Sequence, residues 1–224
     1  MNQDNGGVIG KINTPTTSLA SGVWSLDSQF DSQSSSIWPL AFPQTTIANA
    51  CRFNDGSQDS LSRTPGSAGN RRTWTWSGWI KRSGLGTYQY IFAGGSANTW
   101  VAFLDSDKFQ FNIQDNDEST ITTTQLFRDV SAWYHIVVAI DTTQGTASDR
   151  VKVYVNGSQV TDFSTEVYPS QNYQAGINNT GIHYLGRLNY SAASWFDGYM
   201  AEVVLVDGQQ LLPTSFGAFN PVTN

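Results

Sequence analysis

The feature that most limits the fold is a series of short segments in which apolar and polar residues alternate. The segments "RTWTWSGWIK" (72–81) and "DKFQFNI" (107–113) repeat with a period of two, and no segment shows a long 3.6-residue period. A period of two places the apolar side chains on one face of a β-strand. Short strands separated by Gly, Asn and Ser predict an all-β protein with very little helix, an antiparallel two-sheet sandwich or jelly roll.

Two further stretches support this fold. "YVNGSQV" at 154–160 predicts a tight hairpin, because Asn156 and Gly157 accept the positive φ angles of a type I′ turn. "WYHIVVAI" at 133–140 is continuously apolar, which is typical of a central strand with both faces covered.

The composition excludes several classes of function. Charged residues make up 13% of the chain and the net charge is −6, which argues against a nucleic-acid partner, since phosphate binding needs a basic face. No stretch approaches the roughly 20 apolar residues of a membrane helix. The start of the sequence has no basic region followed by an apolar run, so we expect no secretory signal. Cys51 is the only cysteine, which fits folding in a reducing cytoplasm.

The first 45 residues differ from the rest of the chain. They are rich in Ser, Thr, Gln and Gly, yet they also carry a dense group of apolar side chains: Val23, Trp24, Leu26, Phe30, Trp38 and Phe42. So short a segment cannot bury these side chains alone, so we predict that it docks on a partner chain. The predicted organisation is an N-terminal arm over 1–45, a sandwich domain over 46–212 and a C-terminal extension over 213–224. No pattern in the extension marks the end of a domain, which is compatible with a natural chain that continues past residue 224.

The order of the strand segments resembles a known family. "WTWSGWIKRS", "WYHIVVAID", "RVKVYVNGSQV", "YLGRL" and "FDGYMAEVVLVDG" follow one another between Arg71 and Gly208 as in laminin G-like, concanavalin A-like jelly-roll domains. The flanking stretches "GVIGKINTPTTSLASGVWSL", "IWPLAF" and "DGQQLLPTSFGAFNPVTN" resemble segments beside such domains in tailed-bacteriophage virion proteins. This resemblance implies a non-enzymatic tail fibre, appendage or head decoration protein.

The same resemblance implies a location and partners. A virion protein is made in the host cytoplasm and leaves by lysis, which accounts for a missing secretory signal. Its arm would bind other virion structural proteins, and the symmetry of phage appendages suggests a homo-trimer. The displayed domain would recognise a host-surface glycan or only stabilise the particle. Two alternatives stay open: a polysaccharide-degrading enzyme carried on the particle, and a cellular lectin or adhesion module.

Catalytic patterns are weak in this sequence. Glycoside hydrolysis needs two facing carboxylates, and Glu118, Glu166 and Glu202 are widely separated, without the E-x-D-x-E pattern of hydrolases with this fold. Cys51, His135 and His183 lie in separate segments, and three such residues are too few for a closed zinc site to be expected. We expect a neighbouring strand to pack against His135 or to hydrogen-bond with it.

Calcium is the one metal that the resemblance suggests, since laminin G-like relatives often bind it at a sheet rim. Asp105, Asp107, Asp115 and Asp117 lie close together in sequence, and hard oxygen ligands suit calcium. The same residue types also favour turns, and we prefer that interpretation.

Glycan binding is the remaining candidate. Sugars stack on exposed aromatic rings, and amide groups can read their hydroxyls. "NYSAASWFDG" offers Asn189, Tyr190 and Trp195, while Tyr88 and Trp100 lie in two other polar stretches. Taken singly, each of these aromatic residues is better explained by a place in the core or between chains.

Overall fold

The computed structural model describes residues 49–95, 99–113, 119–188 and 194–217. Within them the chain forms two antiparallel sheets, one short α-helix and one 3₁₀ turn, which confirms the predicted jelly-roll class. The strands in chain order are β1 Cys51–Phe53, β2 Leu61–Arg63, β3 Thr73–Arg82, β4 Gln89–Gly94, β5 Thr99–Phe103, β6 Lys108–Asn112, β7 Thr120–Leu126, β8 Tyr134–Asp141, β9 Val151–Val155, β10 Ser158–Gln159, β11 Phe163–Glu166, β12 His183–Leu185 and β13 Gly198–Asp207. Helix α1 spans Ala147–Arg150, and the 3₁₀ turn spans Pro213–Ser215.

The two sheets have six and seven strands. The six-stranded sheet has the order β1-β13-β3-β8-β9-β10, and the seven-stranded sheet has the order β11-β7-β6-β5-β4-β12-β2. Neighbouring strands in both sheets are antiparallel. Some neighbours are consecutive in the chain, as from β4 to β7 and from β8 to β10, whereas others are distant in sequence, as in β1 beside β13. The sheets therefore combine local hairpins with long-range pairing.

The alternation read from the sequence determines which side chains form the core. Trp74, Trp76 and Ile80 of β3 are fully buried, as are Phe109 and Phe111 of β6 in the opposite sheet. Trp74 meets Phe111 edge to face, with 6.1 Å between ring centroids and 74° between the planes. The core is thus an aromatic layer between the inner faces of the two sheets.

The predicted hairpin is confirmed. Asn156 and Gly157 have φ angles of 48° and 82°, and they join β9 to β10. Two consecutive positive φ angles are the signature of a type I′ turn, whose twist matches that of the flanking strands. The Asn156 side chain also accepts a hydrogen bond from the His135 backbone N–H at 2.9 Å, which ties the turn to β8.

β8 is covered on both faces, as its continuous apolar run predicts. Its inner side chains join the main core, while Val137 and Ala139 form a small buried cluster with Tyr154 on the other face. Phe216, in the described part of the C-terminal extension, packs against this cluster.

An arginine buried in the sandwich is held by one carboxylate. The Arg82 side chain is fully buried and lies over the Phe103 ring, 4.6 Å from its centroid. Its Nη1 donates to Asp107 Oδ1 at 3.1 Å and to the Phe127 carbonyl at 2.8 Å. A buried guanidinium needs such partners, because water no longer solvates it.

Asp107 connects three segments of the chain. Its Oδ1 also accepts from the Gly86 backbone N–H at 3.0 Å, and its Oδ2 accepts from Arg128 Nε at 3.1 Å. Burial opposes ionisation of Asp107, but the Gly86 donor and the two guanidinium groups outweigh it, so the pKa of this carboxyl lies below its usual range. Asp107 is therefore a structural anion inside the sandwich.

Replacing Asp107 with Asn should lower the free energy of unfolding by about 3–5 kcal/mol, because the Arg82 charge would stay buried without a counter-charge. The stabilisation by the ionised Asp107 side chain is fully present above the unfolded-state pKa of about 3.9, and it is lost as the pH falls below that value. Urea unfolding at pH 7 measures the change. Asp105→Asn is the matched control: Asp105 is exposed two residues away, and its replacement should cost less than about 0.5 kcal/mol. Equal losses in the two variants would contradict the structural role of Asp107.

Candidate functional site

The register of the seven-stranded sheet determines which side chains share its outer face, the face turned away from the core. Trp100 of β5 pairs with Ala93 of β4 on one side and with Asn112 of β6 on the other. Residues directly opposite in antiparallel strands project to the same face. The register from β12 to β7 therefore places these side chains together: Tyr184, Ala93, Trp100, Ala102, Gln110, Asn112, Thr120 and Thr122. With Tyr88 and Tyr90, they are called the outer face below.

Three aromatic rings form the centre of the outer face. Tyr88 and Tyr90 have ring centroids 4.9 Å apart, and Trp100 stands edge-on to Tyr90 at 5.3 Å with an interplanar angle of 88°. Trp100 is only 4% exposed, whereas the two tyrosines are half-buried. Leu188 shares the buried cluster of Trp100. Trp100 therefore supports the tyrosines, which present the more accessible aromatic surface.

Polar side chains continue the outer face beside the rings. Tyr88 Oη donates to Gln110 Oε1 at 3.0 Å, and Gln110 Nε2 donates to Thr122 Oγ1 at 2.8 Å. Thr120 Oγ1 donates to Asn112 Oδ1 at 3.0 Å. These contacts fix the orientation of two amides and three hydroxyls next to an aromatic surface.

A cation lies between two further aromatic rings. The Arg187 guanidinium is 4.7 Å from the Tyr184 ring and 4.7 Å from the Trp195 ring. Tyr90 N–H donates to the Ser194 carbonyl at 3.1 Å, which ties the segment that carries Trp195 to β4. The arrangement adds a stacked positive charge to this side of the sheet.

The structure brings together three of the five residues predicted for glycan binding. Tyr88 and Trp100 are in contact, and Trp195 joins the same side of the sheet through Arg187 and Tyr184. Asn189 and Tyr190 lie outside the described residues, and so do the predicted arm residues Val23, Trp24, Leu26, Phe30, Trp38 and Phe42. All of these assignments to glycan or partner binding stay predictions.

The sequence reasoning missed Gln110, Tyr184 and Arg187. The alternation in "DKFQFNI" already separated Gln110 from the buried phenylalanines, so that signal was available. Tyr184 lies in a three-residue strand, and its nearness to Ala93 follows from a pairing across 91 residues (184 − 93). No local pattern could have placed it there.

The strands that form the outer face contain no carboxylate. The sequences of β2, β4, β5, β6, β7 and β12 include neither Asp nor Glu. Glycoside hydrolysis with an acid and a base, or with an acid and a nucleophile, requires two carboxyl groups. These six strands therefore supply no such pair of carboxyl groups.

A second concave site lies on the outer side of the six-stranded sheet. A cavity of about 370 Å³ is lined there by Ser77, Trp79, His135, Glu202 and Phe216, among others. Ser77 Oγ lies 2.9 Å from His135 Nε2, and the Trp79 ring packs 4.9 Å from the imidazole. We expected a neighbouring strand to pack against His135 or to hydrogen-bond with it, and this expectation is confirmed. The sequence alone did not identify Ser77, which is 58 residues away, as the partner.

Burial lowers the pKa of His135 to about 4. The imidazole is therefore neutral at pH 7 and is a weak base toward the serine hydroxyl. Glu202 borders the same cavity with a φ angle of 47°, where β13 shifts register against β3. A β-bulge at this point turns the Glu202 side chain toward the cavity side of the sheet.

The four aspartates considered for calcium are in different situations. Asp107 is held by Arg82, Arg128 and Gly86, and Asp105 is exposed. Asp115 and Asp117 lie outside the described residues. Across the described ranges, no group of three or more His, Cys, Asp or Glu side chains is placed to hold a metal ion. Calcium binding stays a prediction.

The chain belongs to the concanavalin A-like lectin/glucanases superfamily, whose laminin G-like family model matches residues 55–210. It has a carbohydrate-binding-type jelly-roll fold. No curated protein matches the sequence significantly. In the part of the chain that is described, no helix is long and apolar enough to cross a membrane.

Two of the solved structures that resemble this chain illustrate the shared fold. Domains LG4-5 of the mouse laminin alpha1 chain align with a TM-score of 0.52 at 14% identity, over 73% of this chain and 43% of that chain. A candidate carbohydrate-binding protein from Bacteroides ovatus aligns with a TM-score of 0.50 at 16% identity, over 78% of this chain and 48% of that chain. The chain thus spans less than half of either protein, and at these identities the likeness concerns the fold.

The buried His135 should make stability depend on pH. Its pKa is lower in the folded state than the usual 6.5, so its contribution is complete above pH 6.5 and is lost as the pH falls toward 4. The free energy of unfolding should fall by on the order of 3 kcal/mol, because a shift of one pKa unit corresponds to about 1.4 kcal/mol. Urea unfolding between pH 4 and 7 should show a shallower pH dependence in His135→Gln than in the wild type.

The control for this prediction is Ser77→Ala, which removes the serine contact and leaves the imidazole in place. Because burial is the cause of the lowered pKa, Ser77→Ala should keep the pH dependence of the wild type. A His135→Gln variant with the full wild-type dependence would contradict the assignment.

Proposed function

We propose that the protein is a non-enzymatic glycan-binding protein of a bacteriophage particle, with the outer face as its binding surface. The observation that carries the binding part is the juxtaposition of Tyr88 and Tyr90 with the oriented amide of Gln110. A pyranose ring has an apolar C–H face and a rim of hydroxyls. Aromatic rings beside fixed donors and acceptors match both.

Arg187 extends this surface on the side of β12. Its guanidinium, stacked between Tyr184 and Trp195, is a planar group with several donors. Such a group can bind two adjacent sugar oxygens at once. The proposed surface thus runs from Tyr88 across β4 to Trp195, and the predicted residues Asn189 and Tyr190 adjoin it in sequence.

The chemistry of the outer face supports binding without hydrolysis. A retaining or inverting glycosidase places two carboxyl groups about 5 to 9 Å apart across the sugar. The six strands that carry the outer face contain no Asp or Glu, so they cannot supply such a pair. This observation favours binding over the alternative of a particle-borne polysaccharide hydrolase.

The assignment to a virion rests on the sequence. The segments before and after the sandwich resemble those of tailed-phage proteins, and residues 1–45 carry the apolar group around Trp24 and Trp38. We propose that this arm binds another virion protein, that the chain assembles as a trimer, and that the jelly roll is displayed to the host surface.

Replacing Tyr90 with Ala should weaken glycan binding about tenfold, since the loss of one stacking ring costs about 1.4 kcal/mol. Tyr88→Phe should cause a smaller loss, because it removes only the contact of the hydroxyl with Gln110. An array of bacterial capsular polysaccharides and lipopolysaccharides identifies a bound glycan, and calorimetric titration gives its affinity.

Tyr199→Ala is the matched control for these variants. Tyr199 is 36% exposed on the outer side of the six-stranded sheet, where Arg52 lies over its ring, so its removal should leave glycan affinity unchanged. Equal loss in Tyr90→Ala and Tyr199→Ala would contradict the outer face as the site. Sustained release of reducing sugars from a bound polysaccharide would contradict the non-enzymatic assignment.

Deleting residues 1–45 should leave a folded domain that no longer joins phage particles, because the proposed anchor is lost while the described strands all lie downstream. Circular dichroism checks folding, and immunoblotting of purified particles checks incorporation. Wild-type incorporation of the truncated chain would contradict the anchoring role. A truncated chain that still binds the same glycan would show that glycan binding by the jelly roll does not require the anchoring arm.

A further inference from the structure

His183 is a buried histidine at the start of β12. It pairs with Gly94 of β4 on one side and with Arg63 of β2 on the other. The side chain is 7% exposed, and its ring stacks on Phe92 with 6.1 Å between centroids. A Cβ atom added at Gly94 would lie 2.5 Å from the imidazole, so the ring packs directly against the backbone of β4.

Both nitrogens of this ring are hydrogen-bonded to the main chain, and the two bonds determine the tautomer. His183 Nδ1 lies 2.8 Å from the Gly181 carbonyl oxygen, which can only accept, so Nδ1 carries the proton. The Asn178 backbone N–H donates to His183 Nε2 at 3.1 Å, so Nε2 must offer its lone pair. The imidazole can make both bonds only while it is neutral. A protonated ring has two N–H donors and would direct one of them against the Asn178 N–H.

Asn178 connects this histidine to the other sheet. Its backbone carbonyl accepts from the Gly69 N–H at 2.8 Å. Its side-chain Nδ2 donates to the Asn70 carbonyl at 3.1 Å and to Asp207 Oδ1 at 3.0 Å. Gly69 and Asn70 precede β3, and Asp207 ends β13, so these partners belong to the six-stranded sheet. One residue thus links β12 of one sheet to β3 and β13 of the other.

The backbone of Asn178 has a conformation that depends on its contacts. Its φ angle is 61°, in the left-handed region, which costs free energy in any residue other than glycine, although Asn tolerates it better than most. Such a conformation persists where the surrounding contacts determine it. Of the four partners of Asn178 named above, only the His183 imidazole has an unperturbed pKa near neutrality.

The segment around Asn178 is anchored at both ends without His183. The Gly176 N–H donates to Thr99 Oγ1 at 2.9 Å, and the Gly95 N–H donates to the Ile182 carbonyl at 3.2 Å. A loss of the His183 contact would therefore affect the residues between these anchors. Residues 177–181 are called the loop below.

The surroundings of His183 disfavour its protonation in the folded state. Burial lowers the pKa of His183 below its usual 6.5, the carbonyl bound to Nδ1 raises it, and the Arg63 charge on β2 lowers it further. β4 carries no charged side chain, and the loop contains no Asp, Glu, Lys or Arg. Asp207 is a carboxylate on the far side of Asn178. A released loop would leave the imidazole with an ordinary pKa, so release and protonation favour each other.

We propose that His183 is an acid-sensitive latch, which holds the loop through Asn178 at neutral pH and releases it when the imidazole is protonated. The protonated ring no longer accepts from the Asn178 N–H, so the loop loses its bond to β12. The link that Asn178 makes between the two sheets is then broken, while the anchors at Gly176 and Ile182 stay in place. The latch does not involve the outer face, so it does not depend on the proposed glycan binding.

The chain contains two histidines, which supply a matched pair of variants. His183→Gln replaces the imidazole with an amide whose oxygen can still accept a hydrogen bond but does not titrate. His135→Gln removes the other imidazole, which lines the cavity on the outer side of the six-stranded sheet. The readout is the protection of the Asn178 amide against hydrogen exchange, measured by ¹H–¹⁵N spectroscopy on the full chain. The pH runs from 7 to 5, where carboxylates of ordinary pKa stay mostly ionised.

In the wild type, the protection factor of the Asn178 amide should fall by about tenfold per pH unit below 6.5, because the open loop binds one proton more than the closed loop. His135→Gln should keep this slope, and His183→Gln should lose it. At pH 5 the Asn178 amide should also be less protected than the amides of β8, since the release is local.

The ¹⁵N shifts of the His183 ring in the wild type at pH 7 should place the proton on Nδ1. A flat protection profile in the wild type, a slope that survives His183→Gln, protection equal to that of β8, or a proton on Nε2 would overturn the proposal. The wild-type profile and the ring shifts decide the matter even if His183→Gln fails to fold.

Discussion

Burial of aromatic side chains between two sheets is the interaction on which the rest of this structure depends. The single cysteine, Cys51, is exposed and unpaired, so no disulfide supports the fold. Full burial of a large apolar side chain contributes about 1.5–3 kcal/mol, and Trp74, Trp76, Phe109 and Phe111 are all fully buried. Each strand directs every second residue into this layer, so the remaining residues form the outer surfaces of the two sheets.

The two sheets use their outer sides differently. The outer side of the seven-stranded sheet carries aromatic rings, amides and hydroxyls. Six of its strands, from β7 to β2 in the sheet order, contain no carboxylate, and this composition suits a neutral, hydroxyl-rich ligand. The six-stranded sheet presents a buried imidazole beside a serine, and burial keeps this imidazole neutral at pH 7. Both arrangements are polar networks fixed by backbone register, and such networks tend to specify one arrangement of the strands.

The local part of this structure could be read from the sequence. The alternation in β3 and β6, the type I′ turn at Asn156–Gly157 and the buried run of β8 depend on neighbours within a few residues. The sites could not be read in the same way. Ser77 and His135, or Tyr184 and Ala93, lie side by side only after distant strands pair, and one sequence does not determine that register. The resemblance to laminin G-like domains supplied the fold that local patterns left open.

β13 borders two concave spaces, one between the two sheets and one on the outer side of the six-stranded sheet. Val203 and Leu205 face one space, while Glu202, Val204 and Val206 face the other. β13 alone therefore separates the two spaces, and the β-bulge at Glu202 lies in this strand. One strand thus lines the surroundings of Trp76 on one side and those of His135 on the other.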